Sequence, residues 1–196
     1  NTPVVGTGLW SIVSGPGVIT NASSPTTTIT GVTAGDGSTP TVVRWTISNG
    51  TCTPSTSEIN LRNYATPTTS DAGVDQEQCS SGSFTLSGNV PVVGTGSWSV
   101  VSGTATITAP TASNSGVTGV PVGTSATLRW TISNGGTCAP STDDVVLTHS
   151  ASPTVADAGV DLNQCNARTF VMSDNTPVDG TGLWSIVSGP GVITNA

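Results

Sequence analysis

The sequence predicts an all-β chain built from tandem repeats of a two-sheet antiparallel sandwich. Three observations support this prediction. The chain repeats itself with a period of 86 residues, apolar and polar residues alternate within short segments, and breaks rich in Gly, Pro and Asn separate those segments. The 196 residues include 24 Gly and 13 Pro, a composition typical of many short strands joined by turns.

The repeat is visible as recurring strings of sequence. Residues 1–22 return at 175–196 with one change, Val5 to Asp179, and a looser copy begins at Asn89. Two further motifs recur, RWTISNG at 44–50 and 129–135, and DAGVDxxxC at 71–79 and 157–165. The two DAGVDxxxC copies are 86 residues apart, whereas the first two copies of the opening string are 88 apart because a loop differs in length. A shared scaffold tolerates length changes of this kind in its loops.

These offsets divide the chain into three units. Residues 67–152 form a complete repeat, residues 1–66 a partial repeat without its opening strands, and residues 153–196 a partial repeat without its closing strands. Short linkers are expected near Pro67 and Pro153. We therefore expect the chain to be a window from a longer tandem array.

Alternation within a unit predicts which side chains face the core. In residues 127–132 the apolar side chains of Leu128, Trp130 and Ile132 alternate with polar ones. The same pattern places a further set inward: Val43, Trp45, Ile47, Ile59, Leu61, Phe84, Leu86, Trp98 and Val100. About seven short strands per unit, with a Trp on a middle strand, predict an immunoglobulin-like sandwich.

Composition excludes several classes of function. The chain has four Arg, no Lys and a net charge of −7, so it cannot neutralise the phosphates of a nucleic acid or bind an anionic membrane surface. No apolar run approaches the length of a transmembrane helix. The one histidine, His149, has no plausible catalytic partner in the sequence. We predict no catalytic residue, no enzymatic activity and no cofactor.

The four cysteines follow the same period. Cys79 and Cys165 close the DAGVD segments, and Cys52 and Cys138 follow the SNG turns. The simplest prediction pairs Cys79 with Cys138, with partners for Cys52 and Cys165 outside this window. A rival pairing, Cys52 with Cys79, would join neighbouring units, and free core thiols are a third interpretation. Either disulfide implies an oxidising, extracellular location. The Cys79–Cys138 bridge would close the loop between these two residues and so contribute about 4 kcal/mol in the chain-entropy model.

Acidic residues gather where units meet: Asp71, Asp75, Asp157 and Asp161. Carboxylates collected at a junction are ligands of the kind that Ca²⁺ takes, so these four are weak candidates for a site that would stiffen the array. No spacing typical of a known calcium loop supports them, and the alternative is that they solvate a turn. We therefore assign no metal.

The combination of DAGVDxxxC, GTGxWSxVSG, RWTISNG and CxPSTxxxxL resembles the immunoglobulin-like and PKD-like tandem repeats of very large surface adhesins of gliding and related bacteria. The resemblance covers essentially the whole chain. It implies a β-sandwich per repeat, export by the type IX secretion system, and a cell-surface or secreted location. It also implies a role in stalks or adhesion associated with gliding motility.

The leading functional hypothesis is a structural stalk or filament segment of a large secreted adhesin, which extends adhesive regions from the cell and supports surface attachment or gliding. Its expected partners are neighbouring repeats of the same chain, a surface polysaccharide or substratum, and other filaments. One alternative is a spacer or carbohydrate-binding module of a secreted multidomain hydrolase. A second is a self-assembling extracellular fibre subunit.

Overall fold

A computed structural model describes residues 1–79 and 81–194, and all regular structure in this part of the chain is β. The predicted all-β class is confirmed. The strands of residues 1–66 are β1 (Thr7–Ser14), β2 (Val18–Ile19), β3 (Ile29–Thr30), β4 (Ala34–Gly35), β5 (Thr41–Ser48), β6 (Ser55–Leu61) and β7 (Asn63–Tyr64). Those of residues 67–152 are β8 (Gln76–Gln78), β9 (Phe84–Thr85), β10 (Thr95–Ser102), β11 (Thr106–Ile107), β12 (Gly116–Thr118), β13 (Thr124–Ser133) and β14 (Ser141–His149). The described residues contain no helix of the length and apolarity that a membrane span requires.

Residues 67–152, the second unit, contain two sheets around one core. The larger sheet has the order β10-β13-β14-β8, in which β8 runs parallel to β14 and the other pairs are antiparallel. The smaller sheet has the antiparallel order β11-β12-β9. One buried cluster takes apolar side chains from both sheets, including Trp98, Leu128, Trp130, Ile132, Val145, Leu147, Phe84 and Val117. Because the cluster joins the two sheets, the unit is sandwich-like.

Strand register is repeated in the first unit, residues 1–66. Trp10 is opposite Trp45 in the β1–β5 pair, and Trp98 is opposite Trp130 in the β10–β13 pair. The ring centroids lie 5.0 Å apart in the first pair and 4.9 Å apart in the second. The sequence repeat is therefore also a repeat of strand pairing and of aromatic packing.

Close packing explains the second glycine of the GTGxW motif. A Cβ atom on Gly96 would lie 2.1 Å from Cζ2 of Trp130, and one on Gly8 would lie 2.1 Å from Cζ2 of Trp45. Real Cβ atoms essentially never approach so closely. The absence of a side chain at this position lets the indole of the neighbouring strand cross it.

The predicted alternation is confirmed in the second unit, where Leu128, Trp130 and Ile132 are all buried. Two inward assignments are wrong. Val100 is exposed because it lies on edge strand β10, directly before a shift of register. Ile59 is 49% exposed, although its equivalent in the second unit, Val145, is 0% exposed. Residues 1–66 contain no counterpart of β8 and β9, so the core around Ile59 is incompletely covered.

Residues 153–194 form no strand, although the sequence predicts the opening strands of a third unit here. A counterpart of β10 would pair with a counterpart of β13, and residues 153–196 contain no copy of RWTISNG. Strands are stable only when their hydrogen-bonding partners are present.

The turn that opens each unit is nevertheless retained in the third segment. The amide of Asp157 donates to Asn175 Oδ1 at 2.9 Å, as the amide of Asp71 donates to Asn89 Oδ1 at 3.0 Å. The side-chain amide of Asn175 donates to the carbonyl of Val155 at 2.9 Å, and Asn89 makes the equivalent bond at 2.8 Å. These bonds are local, so they form without a sheet.

Candidate functional site: the junction between the first two units

The first two units meet at a polar contact centred on Asn134, which follows β13. Its side chain is 7% exposed, and its Nδ2 donates to the carbonyls of Gly35 at 2.9 Å and Ala65 at 2.7 Å. Gly35 belongs to the first unit and Ala65 to the segment that leaves it. One side-chain amide thus satisfies two carbonyls of the preceding unit and ties the second unit to it.

The ring of Tyr64 fills the space between glycines of the two units. A Cβ on Gly37 would lie 2.3 Å from Cε1 of the ring, and one on Gly136 would lie 2.2 Å from Cδ2. Both glycines have positive φ, 75° and 60°, a conformation that other residues rarely adopt. The backbones of both units therefore contact the ring directly. We call Gly35, Tyr64, Ala65, Asn134 and Cys138 the junction.

Hydrogen bonds fix the linker to the second unit. Thr68 Oγ1 accepts from the amides of Val92 at 2.9 Å and Val93 at 2.8 Å. Ser70 Oγ donates to the carbonyl of Ser141 at 2.7 Å, and the Ser70 amide donates to Ser141 Oγ at 2.8 Å. Since Ser141 is the first residue of β14, the chain enters the second unit at that end of the sheet.

The four weak calcium candidates bind backbone or face solvent. Asp71 and Asp157 each accept a hydrogen bond at 2.9 Å from the amide two residues later. Asp75 accepts one at 2.8 Å from the amide of Val146, and Asp161 is exposed. Within residues 1–79 and 81–194, no three His, Cys, Asp or Glu side chains gather as metal ligands. The hydrogen bonds of Asp71 and Asp157 hold the turns in which these two residues lie.

The predicted Cys79–Cys138 disulfide is wrong for this structure. Cys79 follows β8, whose last residue is opposite His149 at the end of β14, whereas Cys138 precedes the start of β14. The length of β14 therefore separates them, by roughly 25–30 Å, whereas bridged Cα atoms lie within about 7 Å. The rival Cys52–Cys79 pairing is not formed either, and the four thiols are unpaired within the described residues.

Cys138 instead belongs to the junction. Its Sγ lies 3.5 Å from the carbonyl oxygen of Tyr64. The sequence pattern did not indicate Asn134 or Tyr64 as functional residues. The available signals were that Asn134 lies in a recurring SNG turn and that Tyr64, the single tyrosine of the chain, stands just before a linker.

An exposed ion pair links β13 and β14 on the outer face of the second unit. Arg129 donates to both carboxylate oxygens of Asp144, at 2.7 and 2.8 Å, and Arg44 pairs with Glu58 at the same positions of the first unit. The hydrogen bonds from Arg129 hold the pKa of Asp144 below its usual range. A carboxyl with a lowered pKa contributes stability at neutral pH that is lost as the pH falls through that pKa. The contribution is small because both groups are exposed.

Comparison with known protein families finds no family model that matches this chain. Comparison with curated proteins finds no match either. The resemblance to immunoglobulin-like and PKD-like repeats therefore rests on the sequence motifs.

Replacing Asn134 by Ala is expected to loosen the junction while both units stay folded. The carbonyl of Ala65 loses its side-chain donor and that of Gly35 keeps only the amide of Ala65. The cost is about 1–3 kcal/mol, and it falls on contacts between units. Residual dipolar couplings should report a wider range of orientations between the units. The control is Asn49→Ala, at the matching but exposed position of the first SNG turn. Equal inter-unit order in Asn134→Ala and the unsubstituted protein would refute the role assigned to Asn134.

Proposed function

We propose that the chain is a structural segment of an extracellular stalk or filament in a large secreted surface adhesin. The observation that supports this most strongly is the junction, where Asn134 and Tyr64 hold two successive units in direct contact. Units that contact their neighbours in sequence build an elongated array whose stability is a sum over units and their interfaces. The function of such a chain lies in its length and its repeated surface.

The path of the chain through the second unit also favours an extended array. The linker is bonded to Ser141 at the start of β14, and the chain leaves after His149 at the end of that strand. Entry and exit are therefore at opposite ends of the sheet. Each repeat of this kind adds about 25–30 Å to the length of the chain.

The surface is consistent with a secreted, soluble stalk. The chain carries 11 acidic residues and four Arg, and a net negative charge keeps a protein soluble and limits non-specific association. We assign it to the extracellular space or the cell surface, and the motif resemblance adds type IX secretion and gliding motility. Neighbouring repeats are its first partners, and a polysaccharide or other substratum would bind weakly at many repeats.

The proposal is tested by electron microscopy of cells that produce the protein, labelled with an antibody raised against residues 67–152. We expect label along threads that extend from the cell. The same antibody preabsorbed with residues 67–152 is the control. Label confined to compact shed particles would contradict the stalk and favour a spacer module of a secreted hydrolase.

A further inference from the structure

The second unit has one cysteine at each end of its larger sheet. Cys79 directly follows β8, whose last residue is opposite His149 at the end of β14. Cys138 lies just before Ser141, the first residue of β14. The chain enters the unit at the start of β14 and leaves it at the end of that strand. Cys138 is therefore at the entry of the unit and Cys79 at its exit.

The thiol at the entry contacts the preceding unit. We call the last residues of a unit, 63–66 in the first and 149–152 in the second, its exit segment. Sγ of Cys138 lies 3.5 Å from the carbonyl oxygen of Tyr64. The amide of Ala65 donates to a carbonyl of β4 at 2.8 Å. Successive residues of a strand point their backbone groups to opposite sides, so the Tyr64 carbonyl and the thiol lie on the side away from β4.

The cysteine at the exit lies on the same side of the exit segment of its own unit. The amide of Gly123 donates to the carbonyl of His149 at 2.6 Å on one side of this segment. The amide of Ser150 donates to the carbonyl of Gln78 at 3.0 Å on the other side. Because the register pairs His149 with Gln78, the next residue along, Ser150, is opposite Cys79.

The two exit segments correspond residue by residue at the 86-residue period. The tryptophan of β5 is opposite Ser57, and the tryptophan of β13 is opposite Asp143. Tyr64 of the first exit segment therefore corresponds to Ser150 of the second. One of these equivalent residues is contacted by the second cysteine of the following unit, and the other is opposite the first cysteine of its own unit.

We propose that in the tandem array the first cysteine of each unit, equivalent to Cys79, forms a disulfide with the second cysteine of the following unit, equivalent to Cys138. Both lie at the same residue of the exit segment and on the same side of it. Neighbouring strands are about 4.8 Å apart, and Cys138 Sγ is 3.5 Å from the Tyr64 carbonyl. A disulfide spans this arrangement, since its Cα atoms lie up to about 7 Å apart.

This pairing uses the cysteines of the repeat fully. Each complete unit has two, so every junction between neighbours receives one bridge. The bridge adds a covalent bond beside the hydrogen bonds of Asn134, and it keeps neighbouring units together when those bonds open. The inference rests on the array in the proposed function, and it does not require adhesion or any ligand.

The bond forms by thiol–disulfide exchange with a small disulfide such as oxidised glutathione. The thiolate of one cysteine attacks a sulfur of the small disulfide and releases one small thiolate. The thiolate of the other cysteine then attacks the mixed disulfide and releases the second. The two protein thiols lose two electrons and two protons, and the small disulfide is reduced to two thiols.

The test uses a longer chain, in which residues 1–174 are followed by a second copy of all 196 residues. Because residues 175–196 repeat residues 1–22 with one change, the join preserves the sequence of the array. Residues 153–174 of the first copy and 1–66 of the second together form a complete unit. The junction that follows this unit has the same residues as the junction described above.

Three cysteines are kept in this chain, and the others are replaced by Ser. Cys165 of the first copy and Cys52 of the second lie in one unit, and Cys138 of the second copy lies in the next. The chain is oxidised in a glutathione redox buffer, and the cross-linked peptides of the monomer are quantified by mass spectrometry. Because positioned thiols have a high effective concentration, Cys165–Cys138 peptides should exceed Cys165–Cys52 peptides about tenfold or more. Equal amounts, or an excess of Cys165–Cys52, would overturn the proposal.

A matched variant separates a positioned thiol from chance collision. Cys138→Ser combined with Thr137→Cys in the second copy moves the thiol by one residue, to an exposed position. The yield of the bridge to Cys165 should then fall about tenfold or more. An unchanged yield would refute the proposed contact.

Thermal unfolding of the reduced longer chain, followed by near-ultraviolet circular dichroism, separates this inference from the proposed function. Cooperative unfolding without the Cys165–Cys138 bridge after oxidation would refute the disulfide and leave the array intact. A reduced chain without a cooperative transition would contradict the array, and the disulfide with it.

Discussion

Replacing Trp98 by Ala should lower the melting temperature of the second unit by roughly 15–30 °C, because removing a buried Trp side chain costs about 3–5 kcal/mol in a domain of this size. Trp98 is buried, its ring centroid lies 4.9 Å from that of Trp130, and its Nε1 donates to the carbonyl of Ser113 at 3.2 Å. Truncation therefore removes an aromatic contact and leaves a cavity between the sheets. Thermal unfolding followed by near-ultraviolet circular dichroism measures the effect.

The chain contains its own control for this substitution. Trp184 occupies the same place in the third copy of the GTGxW motif, but it lies in a segment without strands and is partly exposed. Trp184→Ala should leave the melting temperature unchanged within about 1 °C, since surface changes are close to neutral. Similar losses in the two variants would show that the core is not where the structure places it.

Gly96→Ala should also destabilise the second unit, by overpacking. The added methyl group would lie 2.1 Å from Cζ2 and 2.4 Å from Cη2 of Trp130. That indole is buried and bonded to Asn89 through Nε1, so it has little freedom to move. Forcing an extra carbon into a packed core costs about 1–3 kcal/mol or more, which corresponds to a fall in melting temperature of roughly 5–20 °C.

The matching glycine of the third segment again provides the comparison. A Cβ on Gly182 would find its nearest neighbour, Cγ of Pro177, at 3.4 Å, an ordinary contact. Gly182→Ala is expected to melt as the unsubstituted protein does. If Gly96→Ala melted in the same way, the close crossing of Trp130 over Gly96 would be incorrect.

Local patterns were sufficient to predict the strands and much of the core. Alternation over residues 127–132 identified Leu128, Trp130 and Ile132 because each residue's side of the sheet follows from its parity alone. The same rule was wrong for Val100, where a register shift interrupts the strand, and for Ile59, where burial depends on strands that residues 1–66 lack. Periodicity therefore predicts which face of the sheet a side chain lies on, but not whether other strands pack against that face.

The contacts at the junction could not be predicted in this way. Asn134 bonds to Gly35 and Ala65, which are 99 and 69 residues away in the sequence, and no local pattern encodes so distant a pairing. The Cys79–Cys138 prediction failed for a related reason. The repeat period places one cysteine of each type in a unit, but the topology decides that they lie at opposite ends of β14.

The most direct test of the fold is to compare two fragments of equal length, 86 residues each, taken in and out of phase with the repeat. Residues 67–152 contain both sheets and the whole buried cluster. Residues 24–109 begin within the first unit and end within the second, so they contain only part of the strands of each. We expect the in-phase fragment to unfold in one cooperative thermal transition with a near-ultraviolet tryptophan signal, and the out-of-phase fragment to show neither. Cooperative unfolding of residues 24–109, or its absence in residues 67–152, would contradict the claim that the 86-residue repeat is the folding unit from which the array is built.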